Sequence, residues 1–99
     1  MDRSQKRILM AKVIGEYIVS LRRDKGIAQK KLALFSGVPE RTLRRIEKGQ
    51  IDVDFCTLVE ILTALKEDFA GFYLKVMKNL QVLGGGLRGK VALVEDKLN

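Results

Sequence analysis

Residues 29–49 read QKKLALFSGVPERTLRRIEKG, and the fold follows from how this stretch is punctuated. Two short runs of helix-forming residues flank Ser36-Gly37-Val38. Gly37 can take the positive φ that a tight turn demands. Pro39 suits the start of the following helix, where its missing N–H is no loss. Before the turn, Leu32, Ala33 and Phe35 form the expected apolar side of a helix over Gln29–Phe35. After it, Leu43 and Ile46 share one side of a helix expected to run to about Lys48 and to stop at Gly49. These spacings let one helix pack across the other, and the small Ala33 lets their axes come close.

With Leu43 and Ile46 turned inward, Glu40, Arg41, Arg44, Arg45 and Lys48 fall on the opposite side at i, i+1, i+4, i+5 and i+8. This outward stripe carries four cations and one carboxylate. A helix so decorated fits the major groove of duplex DNA, where Arg bonds guanine O6 and N7 and Glu accepts from cytosine N4. The charge distribution agrees. The 99 residues carry 19 Lys+Arg and 12 Asp+Glu, a net of +7. Residues 1–49 hold 13 basic and 5 acidic side chains (net +8), and residues 50–99 hold 6 and 7 (net −1). All the basicity lies in the first half, which favours a polyanionic partner.

Further out, Ile14, Tyr17, Ile18 and Leu21 recur at helical spacing within a helix expected from Arg7 to Lys25, closed by Gly26. Downstream, Asp54 can cap a helix whose apolar positions are Phe55, Leu58, Ile61, Leu62 and Leu65. A fifth helix is expected from Asp68 to Leu80. The fold class is all-α, five helices in one domain over residues 7–80, with the turn motif at about 29–48. Residues 81–99 read as a Gly-rich arm in which Gln81-Val82-Leu83 and Lys90–Val94 are β-prone, either a dimerisation element or a flexible tail.

Composition excludes much else. There is no His, so no His-based acid–base pair, serine triad or His-ligated zinc site can form. Cys56 is the single cysteine, which removes an internal disulfide and a four-Cys metal site and points to a reducing, cytoplasmic home. Asp52 and Asp54 are explained by a loop and a helix cap rather than a metal pair. Gly84…Gly89-Lys90 has the spacing of a phosphate-binding loop, but Val91 stands where Ser or Thr is required. No apolar run is long enough for a membrane span. Neither an enzymatic activity nor a cofactor is expected.

The stretch from Ile14 to Leu65 resembles the Cro/CI-type helix-turn-helix domains of the Xre family. The resemblance is carried by Gly15-Glu16…Ile18…Leu21-Arg22, Gln29, Leu32-Ala33, Ser36-Gly37-Val38, Ile46-Glu47-Lys48-Gly49 and Leu58…Leu65. It implies a five-helix lambda-repressor-like domain that binds double-stranded DNA. It also implies base reading by Glu40, Arg41 and Arg45, and backbone contact by Gln29, Lys30, Lys31, Arg44, Lys48 and Gln50. Arg22 and Glu47 match a structural ion pair. Ala28 and Pro39 depart from the family, which prefers Ser or Thr at the first position and Ser, Thr or Asn at the second.

One module grips a short half-site weakly, so a homodimer on a palindromic operator is expected. Phe69, Phe72, Tyr73, Val76 and Met77 are the candidate interface; the alternative is that they complete the subunit core. The function read here is a sequence-specific transcriptional regulator acting as a repressor. An antitoxin with a toxin partner, a restriction–modification controller, and an adaptor for protein or RNA are the alternatives.

Overall fold

The computed structural model describes residues 2–83, with side chains through Leu80. Five helices follow in order: α1 (Arg3–Asp24), α2 (Gln29–Ser36), α3 (Glu40–Glu47), α4 (Phe55–Ala64) and α5 (Phe69–Leu83). The described residues are all-α, as expected. None of their helices is long and apolar enough to cross a membrane.

Helix α1 begins a turn earlier than its apolar stripe suggested. The Gln5 N–H donates to Asp2 Oδ1 at 2.8 Å, and the Asp2 N–H donates to Gln5 Oε1 at 3.0 Å. This reciprocal cap satisfies two N–H groups that the first turn would otherwise leave open. Asp54 caps α4 as expected, accepting from the Thr57 N–H at 2.8 Å and the Thr57 hydroxyl at 2.7 Å. Ala28 and Pro39 offer α2 and α3 no side-chain cap.

Between α2 and α3, Gly37 stands at φ 79° and its N–H closes on the Ala33 carbonyl at 3.0 Å. Ser36 is buried there, donating to the Ala33 carbonyl and accepting from the Val38 N–H. Phe35 is a correction, because it is 59% exposed rather than packed. Each residue turns a helix by about 100°, so the inward direction set by Leu32, Ala33 and Ser36 leaves Phe35 about 100° to one side. Leu34 lies farther round still and is also exposed.

The core joins Val13 and Ile18 of α1, Leu32 of α2, Leu43 and Ile46 of α3, Ile61 and Leu62 of α4, and Leu65 beyond it. From α5 come Phe72, Val76 and Leu80, one every fourth residue. This corrects the candidate interface: Phe72 and Val76 belong to the subunit's own core, and Met77 is half-buried against it. The Tyr17 and Phe72 rings meet edge-on at 6.2 Å, fixing α5 against α1. Phe69 and Tyr73 remain outside, and exposed Phe55 stands edge-on to Phe69 at 5.2 Å.

A third correction concerns residues 81–83, which continue α5 rather than starting a β-prone arm. The buried stripe of Phe72, Val76 and Leu80 carries the helix onward, and such packing outweighs a weak local preference. The rest of the expected arm, with its glycine segment, lies outside the described residues.

Helices α1 and α3 touch backbone to backbone. A Cβ on Gly15 would stand 2.4 Å from the Ile46 carbonyl oxygen and 2.9 Å from that of Glu47. A Cβ on Gly49 would stand 2.8 Å from Lys12 Cα. These two glycines allow α1 to lie directly on the end of α3.

Candidate nucleic-acid interface

Helix α3 is two-sided. Leu43 and Ile46 are 0% and 2% exposed, whereas Arg41, Arg44, Arg45 and Lys48 face solvent. Its eight residues span about 12 Å, the width of a B-DNA major groove. Arg41 and Arg45 lie one turn apart, about 6 Å along the axis, close to two base-pair steps. Neither side chain has a hydrogen-bond or ion-pair partner among the described residues. Arg44 differs, since its Nη1 lies 3.3 Å from Glu40 Oε1 one turn earlier. Glu40 is therefore half-occupied by a neighbour before any ligand arrives.

Glu47 anchors the helix. Arg22 Nε and Nη2 donate to its two carboxylate oxygens at 2.9 Å each, and Arg22 Nη1 donates to the Ile27 carbonyl at 2.9 Å. The side chains are only 13% and 5% exposed. The fork geometry of guanidinium on carboxylate fixes direction as well as distance. The structure thus contains the Arg22–Glu47 pair that the resemblance implied.

Gln29 joins the same cluster, its Nε2 donating to Glu47 Oε1 at 3.0 Å. That contact was not foreseen, because Gln29 was expected to turn toward a phosphate. One N–H and the carbonyl oxygen of the amide stay uncommitted. The first-turn N–H groups of α2, uncapped by Ala28, can also donate to a phosphate oxygen. Lys30 and Lys31 are exposed beside them, with Lys31 Nζ 5.5 Å above the Phe35 ring.

At the other end, Gln50 is exposed and its N–H bonds to the Arg45 carbonyl at 3.0 Å. Beyond it, Arg7 of α1 pairs with Asp52, joining two segments 45 residues apart. Nothing in the spacing of the sequence marks that pair. Of the expected backbone-contacting residues, Lys30 and Lys31 on α2, Arg44 on α3, and Lys48 and Gln50 just after it are exposed, and Gln29 is half-buried.

A helix-turn-helix family model matches residues 18–72, more than half the chain. The chain belongs to the Xre family of helix-turn-helix transcriptional regulators. As a family member it is a DNA-binding regulator of transcription. The regulator is 38% identical over 68 residues to an uncharacterized HTH-type transcriptional regulator of Haemophilus influenzae, covering 69% of this chain and 68% of that one. It is 34% identical over 56 residues to another from Sinorhizobium fredii, covering 57% and 73%. Its fold is similar to the crystal structure of the clp gene regulator ClgR from Corynebacterium glutamicum, with a TM-score of 0.69 over 86% of this chain and 88% of that one. At 24% identity that likeness concerns the fold.

Proposed function

We propose that this regulator binds a short inverted repeat in duplex DNA as a homodimer and represses transcription by occluding the promoter. The observation that carries the reading is the state of Arg41 and Arg45. They are exposed and unpartnered among the described residues, on a helix whose other side is locked into the core. An unpartnered guanidinium on an anchored helix meets a guanine edge without first breaking an ion pair. Glu40, Arg41 and Arg45 read bases. Lys30, Lys31, Arg44, Lys48, Gln50 and the uncommitted part of Gln29 meet phosphates, setting affinity without sequence information.

The second copy docks through the α4–α5 surface, where Phe69, Tyr73 and Phe55 stay exposed after the core is filled. Pairing places two α3 helices on half-sites about one DNA turn apart. The regulator acts by binding in the cytoplasm and catalyses nothing. Selection from random duplex DNA at about physiological salt tests this. An enriched inverted repeat is the expected result; recovery of no preferred sequence overturns it.

A further inference from the structure

We propose that Arg7, with Arg3 one turn before it, forms a second phosphate-binding element at the far end of α3, with Asp52 as its resident counter-ion. The proposal rests on the DNA-binding reading above and extends the contact to a helix that the reading leaves out.

The placement comes first. Helix α1 lies against the end of α3 at Lys12 and Gly15 and then continues past it toward Arg3. The groove between α1 and the chain leaving α3 is lined by Ser4, Arg7, Ile8, Gly49, Gln50 and Asp52. Gln50, whose N–H bonds to the Arg45 carbonyl, lines this groove together with Arg7, so a DNA strand that meets Gln50 lies beside Arg7. Arg3 and Arg7, four residues apart, share one side of α1, and both are exposed.

The electrostatics follow. Asp52 is 53% exposed, and a bare carboxylate there would repel an approaching phosphate. Arg7 cancels that charge through Nη2 alone, leaving most of the five N–H donors of its guanidinium for a phosphate oxygen. An ion pair this exposed contributes little to stability. Its main consequence is the field it presents to a polyanion.

The test measures affinity and salt dependence on the selected operator and on random duplex DNA, with Arg45→Ala run alongside. Arg7→Gln is expected to weaken both DNAs by about 3–10-fold near 0.15 M salt and to lower the slope of log K against log salt by about 1. Arg7→Lys restores the slope. Asp52→Asn, which removes the repelling charge and releases Arg7, is expected to tighten both DNAs several-fold. A clip that only steadied the fold would make Arg7→Gln and Asp52→Asn change affinity in the same direction, and that result overturns the proposal. So does an Arg7→Gln protein with unchanged affinity and slope. If Arg45→Ala alters sequence preference while Arg7→Gln changes nothing, this element fails and the DNA-binding reading stands. If the unaltered protein binds neither DNA, both fail.

Discussion

Arg22 and Glu47 meet through two parallel hydrogen bonds, and Ile27 and Gln29 take up further capacity on each side. Removing one partner strands the other in a nearly closed pocket. Glu47→Ala is expected to cost about 3 kcal/mol in urea unfolding, with Glu47→Gln intermediate because it keeps an acceptor. On the outer side of α3 the readout is sequence preference rather than stability. Arg41→Ala or Arg45→Ala should erase about 1–3 kcal/mol of discrimination between specific and random DNA, whereas Lys30→Ala should weaken both alike, as read by competitive binding. The outward placement of Arg41, Arg44, Arg45 and Lys48 was legible in the sequence because a 3.6-residue period separates Leu43 and Ile46 from the cations without further information. Arg7 with Asp52, and Gln29 with Glu47, were not legible. Each joins segments far apart in the chain, and no local period connects them.

At the level of elements, the close seat of α1 on α3 depends on two missing side chains. Gly15→Ala puts a methyl against the Ile46 carbonyl and is expected to lower stability by about 1–3 kcal/mol and to weaken operator binding, checked by thermal unfolding and DNA titration. Helix α4 carries a pH signature. Hydrogen bonds from Thr57 hold the Asp54 carboxyl below its usual range, so the cap's contribution is complete above the unfolded pKa near 4 and is lost as pH falls through the lower folded value. Asp54→Asn should flatten the unfolding profile in that acid range. Helix ends were readable where a cap or a glycine marks them, as at Asp54 and Gly49. The start of α1 was missed although Asp2 and Gln5 carry the signature, because the apolar stripe was followed instead. The reach of α5 was missed because Val82 and Leu83 suit a strand when judged alone.

At the scale of the whole molecule, the described residues divide into a side that displays Arg41, Arg44, Arg45 and Lys48 and a side on α4 and α5 where Phe55, Phe69 and Tyr73 stand exposed. Phe69→Ser combined with Tyr73→Ser is expected to shift sedimentation from dimer toward monomer and to weaken operator binding, with the fold retained because both side chains lie outside the core. The same change at Phe72 or Val76 would instead open a cavity. Sequence alone marked α5 as apolar but not which of its apolar residues stay exposed. Phe69, Phe72, Tyr73 and Val76 all look apolar, and only the position of α1 decides which of them it covers.

Ile46, Glu47 and Gly49 fasten α3 to the body, while the side chains of Glu40, Arg41, Arg44 and Arg45 take no part in that clasp. The vocabulary of the helix and the angle at which it is held are therefore separable. An engineer could rewrite Glu40, Arg41 and Arg45 to address a different operator and inherit the original aim, provided the fastening behind them is left untouched.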